Sequence, residues 1–270
     1  MSTATDTSGA PGTGAGTTTA ARRMGALARA ELTLLGRAKA TLFAALIVPL
    51  VLPFSLRSTV DQMDLDGTGL SAGLVLLPSA IAFSLLFAVY SALVSVYAAR
   101  REELVLKRLR TGELRDGEIL AGAALPSVAI GLVQSLALVA AFIVLLDVGA
   151  PDAPHLALLG LLLGLVLCPA LAAITANVSK SVEGAQVAAM PLILISLLGS
   201  GAIAPLEVMP DRLASVCELL PLTPVITLVR GGWTGQLSAH EILGALATAV
   251  AWTVVAVFAV RRWFRWEPRR

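Results

Sequence analysis

Charge is missing from the six longest apolar stretches of this chain, and that absence excludes more than any motif present. Taken as 40–56, 72–99, 119–146, 156–178, 185–204 and 242–260, these stretches contain no Asp, Glu, Lys, Arg or His. An ionisable group at mid-membrane costs about 2.5–3.5 kcal/mol on insertion scales, and those that are tolerated mark ion or proton relays. Their absence argues against a proton-coupled antiporter, and equally against an intramembrane metalloprotease, which needs clustered ligands. Histidine is scarce too. His155 and His240 stand at the edges of stretches, so Ser200, within Gly199-Ser200-Gly201, has no base at hand for nucleophilic chemistry. It reads as a packing residue in a small-residue motif. The phosphate-cradling pattern G-x-x-x-x-G-K-[ST] does not occur, so the chain has no ATP site of its own. The two cysteines, Cys168 within a stretch and Cys217 in a loop, lie at different depths and suggest neither a disulfide nor a metal site. No cofactor is implied.

What the chain does have is apolar surface. Hydrophobic residues make up 57% and mean hydropathy is +0.84, beyond an ordinary soluble domain. Only helices and closed barrels span a bilayer, and a barrel needs short segments of alternating polarity. Uninterrupted runs such as 119–146 exclude one, so the fold class is an all-α membrane protein with six transmembrane helices. Its basic residues set an orientation. With both termini inside, that side holds 17 of the 20 Lys and Arg residues: five before residue 40, six in 100–118, Lys180 and five from Arg261 onward. The opposite side holds Arg57, Arg212 and Arg230. Excess Lys and Arg in short loops marks the cytosolic face, so the expectation is a multi-pass cell-membrane protein with cytosolic N- and C-termini. The net charge of +2 does not point to nucleic acid, because the basic residues gather at membrane edges.

Residues 1–21, rich in Ser, Thr, Gly and Ala, read as a disordered cytosolic tail rather than an export signal. Residues 22–39 read as an amphipathic interfacial helix: Met24, Leu27, Leu32, Leu34 and Leu35 share one arc, opposite Arg22, Arg23, Arg29 and Arg37. The domain 40–262 follows, then a basic cytosolic tail over 263–270. Asp61, Asp64 and Asp66 lack the ligand spacing of an EF-hand and read as a solvated turn. Loop 100–118, RREELVLKRLRTGELRDGE, mixes six basic and five acidic residues and predicts a short charged helix ending near Thr111-Gly112. It suits either a docking surface for a soluble protein or a solvated linker. Residues 204–233 are largely apolar but broken by Pro205, Pro210, Pro221 and Pro224. Interior proline forbids a regular span, which predicts two short helices with Met209–Leu220 as the first, packed on the outer ends of the fifth and sixth spans.

These features resemble the ABC-2 family of ATP-binding-cassette transporter permeases, the class that includes antibiotic-efflux and polysaccharide-export permeases. The resemblance runs from about residue 22 onward. Its first carrier is Arg101-Glu102-Glu103, followed by Leu106-Lys107-Arg108-Leu109-Arg110-Thr111 and Ile119-Leu120-Ala121-Gly122. Its second is Gly199-Ser200-Gly201, Met209-Pro210 and Pro221-Leu222-Thr223-Pro224, with Arg230 after five further residues. Gly112, Ala123 and Pro224 depart from the family's common residues, which bears on subfamily. The resemblance implies coupling to an ATP-binding subunit through Arg101, Glu102, Glu103, Lys107, Arg108, Arg110 and Thr111. It also implies an outer gate at Met209, Pro210, Pro221, Pro224 and Arg230, and pairing with a second permease copy or paralogue among membrane lipids. The function implied is an exporter permease for a hydrophobic drug or lipid-like compound. Lipid-linked glycan export and a non-transporting membrane scaffold are the alternatives.

Overall fold

A computed structural model describes residues 55, 71–111, 115–203, 206, 209–264 and 266. The first apolar stretch (apart from Ser55), the amphipathic helix of 22–39, the tail 1–21 and the acidic run at 61–66 lie outside the described residues. Every regular element among the described residues is helical. In chain order these are α1 (Ala72–Glu102), α2 (Val105–Arg110), α3 (Asp116–Leu145), α4 (Pro154–Val178), α5 (Val182–Gly199), α6 (Asp211–Cys217), α7 (Thr223–Thr234) and α8 (Ala239–Trp263). Five of them, α1, α3, α4, α5 and α8, are long and apolar enough to cross a membrane, and they match the second to sixth expected spans. They alternate between a loop end, bearing α2, and a proline-rich end, bearing α6 and α7.

Local chemistry sets the boundaries. Ser71, Ser181 and Ser238 are N-caps whose hydroxyls accept from Leu74, Gly184 and Glu241 backbone N–H groups, each satisfying one of a helix's orphan donors. Glu241 completes a capping box at the start of α8. Pro154 opens α4, where its missing N–H costs nothing. The fifth span stops at Gly199 rather than 204. Ser200 leaves helical geometry, and Gly201 turns left-handed at φ +76, a conformation that glycine adopts without steric cost.

α1 forms the central column. It is buried along most of its length, whereas α3, α5 and α8 turn long apolar faces away from the bundle. Val187, Met190, Leu194 and Leu198 on α5, and Val250, Val254 and Phe258 on α8, are exposed, as suits helices that face lipid or another chain. The sequence pattern predicts one regular helix here, but residues 85–91 of α1 form a π-helical segment, a widening common at functional sites. Polar groups from α5 meet α1 just below it. The Gln186 amide donates to the Ser91 carbonyl at 3.0 Å and also to the Ser95 hydroxyl, while the Ser91 hydroxyl donates to Gln186 Oε1 at 3.1 Å. Tyr90 and Thr175 join α1 to α4 through a hydroxyl pair at 2.9 Å, and the Tyr97 hydroxyl donates to the Leu120 carbonyl of α3 at 3.1 Å.

The proline-rich segment meets spans five and six, as expected: α7 contacts α8, and the end of α5 at Gly199 lies against Leu220 and Cys217. Its most extensive contact is one the sequence did not suggest, that of α7 with α4, with a further one to α1. Glycine makes the close approach possible. A Cβ on Gly160 would meet the Val225 carbonyl oxygen at 2.9 Å, and one on Gly232 would meet the Ala157 amide nitrogen at 2.6 Å. Small residues of this kind let membrane helices approach backbone to backbone. The same geometry predicts that Gly232→Ala, which would drive a methyl into α4 backbone, destabilises the protein by about 1–3 kcal/mol, the usual cost of overpacking. Gly244→Ala, where the added atom meets nothing within 4 Å, should leave the thermal midpoint in detergent unchanged or raised. Equal midpoints for the two variants would show that α7 is not held close to α4.

Candidate functional site: the charged loop and the proline-rich element

Two regions bring together the chemistry-bearing residues, one at each end of the bundle. At the loop end, α1 runs three residues beyond the expected boundary at 99 and then reverses sharply. Leu104 takes the left-handed conformation at φ +58, which costs a non-glycine residue about 1–3 kcal/mol. The reversal lets α2 fold back with Leu106 fully buried and Lys107, Arg108 and Arg110 exposed. Thr111 closes α2, its hydroxyl donating to the Arg108 carbonyl at 2.8 Å. The expected charged helix is therefore present, ending at Arg110 with Thr111 as its cap.

The seven loop residues do not share one surface. Arg101, expected at a protein contact, is only 1% exposed. It donates from Nη1 to the Ala176 carbonyl at 2.7 Å and from Nη2 to the Ser179 carbonyl at 2.6 Å. Those carbonyls end α4, where helical geometry leaves the last four without partners and the helix dipole favours a cation. Glu102 turns to the neighbouring helix, accepting from the Val182 backbone N–H at 2.9 Å, where the first turn of α5 favours an anion. Arg110 is shared locally: Nε donates to Asp116 Oδ1 at 3.0 Å, and the guanidinium lies 5.0 Å from the Trp266 ring centroid. Glu103, Lys107 and Arg108 remain exposed on the outer surface of the loop.

The chain's last described residues come back to the same place. Asn177 Nδ2 donates to the Trp263 carbonyl at 2.9 Å, docking the end of α8 beside the end of α4. Phe264 and Trp266 meet edge to face at 5.2 Å. Residues 263–270 read from sequence as a basic tail, with Trp263 and Trp266 part of an aromatic and basic anchor at the interface; Trp266 packs partly buried against the core beneath Arg110.

At the opposite end, all five expected gate residues fall within one connected structure, though not as one surface. Met209 is half-buried, Pro210 is an exposed N-cap of α6, and Pro221, Pro224 and Arg230 are buried. The first short helix is narrower than 209–220, because Pro210 starts it and Glu218 ends it. The sequence predicts Glu207, Asp211 and Glu218 on the aqueous side of this segment, and Asp211 and Glu218 are exposed accordingly. Glu207 lies outside the described residues. The Thr223 hydroxyl donates to the Cys217 carbonyl at 2.6 Å, fixing the corner between α6 and α7, and Pro224 fits the first turn of α7. Arg230, 7% exposed, donates from Nη2 to the Gly201 carbonyl at 2.7 Å. Ser79 of α1 donates to the Ala202 carbonyl beside it. Trp233 Nε1 reaches the Gly149 carbonyl at 3.1 Å, and Trp252 Nε1 of α8 reaches the Leu219 carbonyl at 2.8 Å. Between α6, α7 and α8 is a cavity of about 600 Å³, a size typical of ligand sites. Glu218, Thr227, Arg230, His240, Glu241 and Thr248 contribute to its polar lining.

Sequence reading missed two polar residues that join elements, Gln186 within the fifth span and Asn177 at the end of the fourth. An amide in an otherwise apolar run is a signal that could have found both, since polar side chains bond across helices where lipid offers no partner.

Comparison with known proteins agrees with this architecture. No curated protein sequence matches the chain. Residues 22–233, well over half of it, match the ABC-2 type transporter family and take in both the charged loop and all five candidate gate residues. Members of that family are permeases that work with a separate ATP-binding subunit. This chain is a multi-pass membrane protein and belongs to the ABC-2 type transporter family.

Proposed function

We propose that this chain is the transmembrane subunit of an ABC exporter, carrying a hydrophobic compound, drug or lipid-like, out of the cytosol or inner leaflet. A separate ATP-binding subunit drives it. The observation that carries the reading is α2: a short helix anchored by buried Leu106, displaying Lys107 and Arg108 outward, on a chain without an ATP site. An exposed helix with a fixed mount can be pushed. Its outward cations suit an acidic groove on the ATP-binding subunit, and charge complementarity of that kind governs encounter and register. Uncharged spans leave no group for ion coupling. The exposed apolar face of α5 suits the second permease copy, or a paralogue, that would complete the pathway.

In this reading the loop end faces the cytosol, as the distribution of Lys and Arg supports. The proline-rich element is an outer gate. Its helices meet at a fixed corner over the cavity between α6, α7 and α8, and opening them would release cargo outward.

Three outcomes test the proposal. Reversing Lys107 and Arg108 to Glu should weaken co-purification with the ATP-binding subunit by about tenfold or more, a loss of about 1.4 kcal/mol, while membrane insertion is unchanged. An undiminished complex would remove α2 as the docking element. For orientation, single cysteines at Ala150 and Gln236, with Cys168 and Cys217 replaced, should react with an impermeant thiol reagent in intact cells. One at Lys180 should react only after permeabilisation, and labelling of Lys180 from outside would invert the topology. For the gate, replacing Pro221 and Pro224 by Ala should reduce export several-fold more than it reduces folded yield. Matching losses of both would assign these prolines to folding alone.

A further inference from the structure

Arg101 and Glu102 are consecutive, opposite in charge, and committed to the two helices that flank the short link 179–181. About 100° of helical rotation separates consecutive side chains, so one residue points to each side of that link. The guanidinium serves the negative end of α4 through the Ala176 and Ser179 carbonyls. The carboxylate serves the positive end of α5 through the Val182 N–H. Either helix end could be completed by water or by a local serine, as Ser181 already does for Gly184. A buried arginine is a costly substitute for water unless its bonds hold something in place.

We propose that this pair is a transmission pin: it makes the end of α1 and the α4–α5 hairpin move as one body. Displacement of α2 by the ATP-binding subunit thereby reaches α4 and α5. The inference rests on the coupling role proposed above, and it reassigns Arg101 and Glu102 from docking to transmission. The rest of the contact between α1 and the hairpin is largely apolar side chains, which can slide past one another, whereas a two-carbonyl guanidinium contact fixes position and direction. Gln186 adds a second fixed point between α1 and α5, about one and a half turns from the link, through Ser91 and Ser95. There α1 widens into the π segment of 85–91, whose Tyr90 hydroxyl pairs with Thr175 of α4. The pinned part of α1 is thus residues 90–102, and α4 carries the displacement onward to α7, against which it packs through Gly160 and Gly232. Arg101 and Glu102 are positioning residues in this scheme and touch no cargo.

The test uses the full complex in lipid, with spin labels at Lys180 in the link and Ala239 at the far end of the bundle. In the otherwise unsubstituted protein, trapping the ATP-binding subunit with nucleotide should shift the distance between the labels. Glu102→Ala and Arg101→Lys should abolish that shift while the ATP-binding subunit still co-purifies. Glu102→Gln, which keeps an acceptor but loses the charge, should retain part of it. Glu102 is at the surface, so its variants keep the experiment informative if the Arg101 variant fails to fold. A full shift in Glu102→Ala would overturn the proposal. So would loss of the ATP-binding subunit from that variant, which would return these residues to the docking surface. Failure of the docking reading itself is separate, because it appears as an intact complex in the Lys107 and Arg108 reversal.

Discussion

Two buried guanidinium groups, one at each end of the bundle, hold the chain reversals on which the rest of the structure depends. A bilayer offers no hydrogen bonds to a chain that stops being helical, so every turn near the membrane must find its partners in protein. Arg101 supplies them where α4 ends, through the Ala176 and Ser179 carbonyls. Arg230 supplies them where α5 has ended, through the Gly201 carbonyl. Each places a fixed fork of donors beside carbonyls that a regular helix would have satisfied. Removing either charge would leave carbonyls without a donor in a place that water reaches poorly, at a cost of about 1–3 kcal/mol for each group left unmade.

The same logic explains why the bundle is joined by few but specific polar contacts. Helices in lipid gain little from burying apolar faces against each other, because lipid is equally apolar. Position is then set by small residues that allow close approach and by polar side chains that admit one register. Gly160 and Gly232 do the first for α4 and α7. Gln186, Tyr90 and Tyr97 do the second for α1 against α5, α4 and α3. α1 is consequently the column to which the other spans are referred, and it is also the helix that leads into the charged loop.

Hydropathy was enough to find the five spans described here, because burial in lipid acts on each segment by itself. The expected 72–99, 119–146, 156–178 and 242–260 differ from the helices by only a few residues at either end. Where the boundaries moved further, the cause was a partner distant in sequence or a local turn. α1 continues to Glu102 because its last charges have helix ends to cap, and α5 stops early at the Gly201 turn. The partner of α7 was not legible, since Gly160 and Gly232 are meaningful only once Val225 and Ala157 of the opposite helix lie against them. Nor was the π segment, whose polar partners Thr175 and Gln186 lie 85 residues from Tyr90 and 95 from Ser91. The candidate sites were legible as regions and not as roles. Arg101 looks in sequence like one cation among six, and only its burial separates it from Lys107.

That separation also accounts for the odd composition of the charged loop. A loop that only marked the cytosolic side would need a few cations and no acids. Here the charges divide by direction. Arg101, buried, and Glu102, at the surface, turn to the ends of α4 and α5. Arg110 pairs with Asp116, and Glu118 accepts from the Arg115 backbone N–H at 2.9 Å; these contacts fix the return into α3. Lys107 and Arg108 face outward. An isolated surface pair contributes little, about 0–1 kcal/mol, so no single contact makes the loop rigid. Both flanks of α2 are tied instead, to α4 and α5 on one side and to α3 and Trp266 on the other. A helix mounted in that way can pass on a displacement instead of absorbing it, which is the mechanical requirement that a permease driven by a separate ATP-binding subunit has to meet.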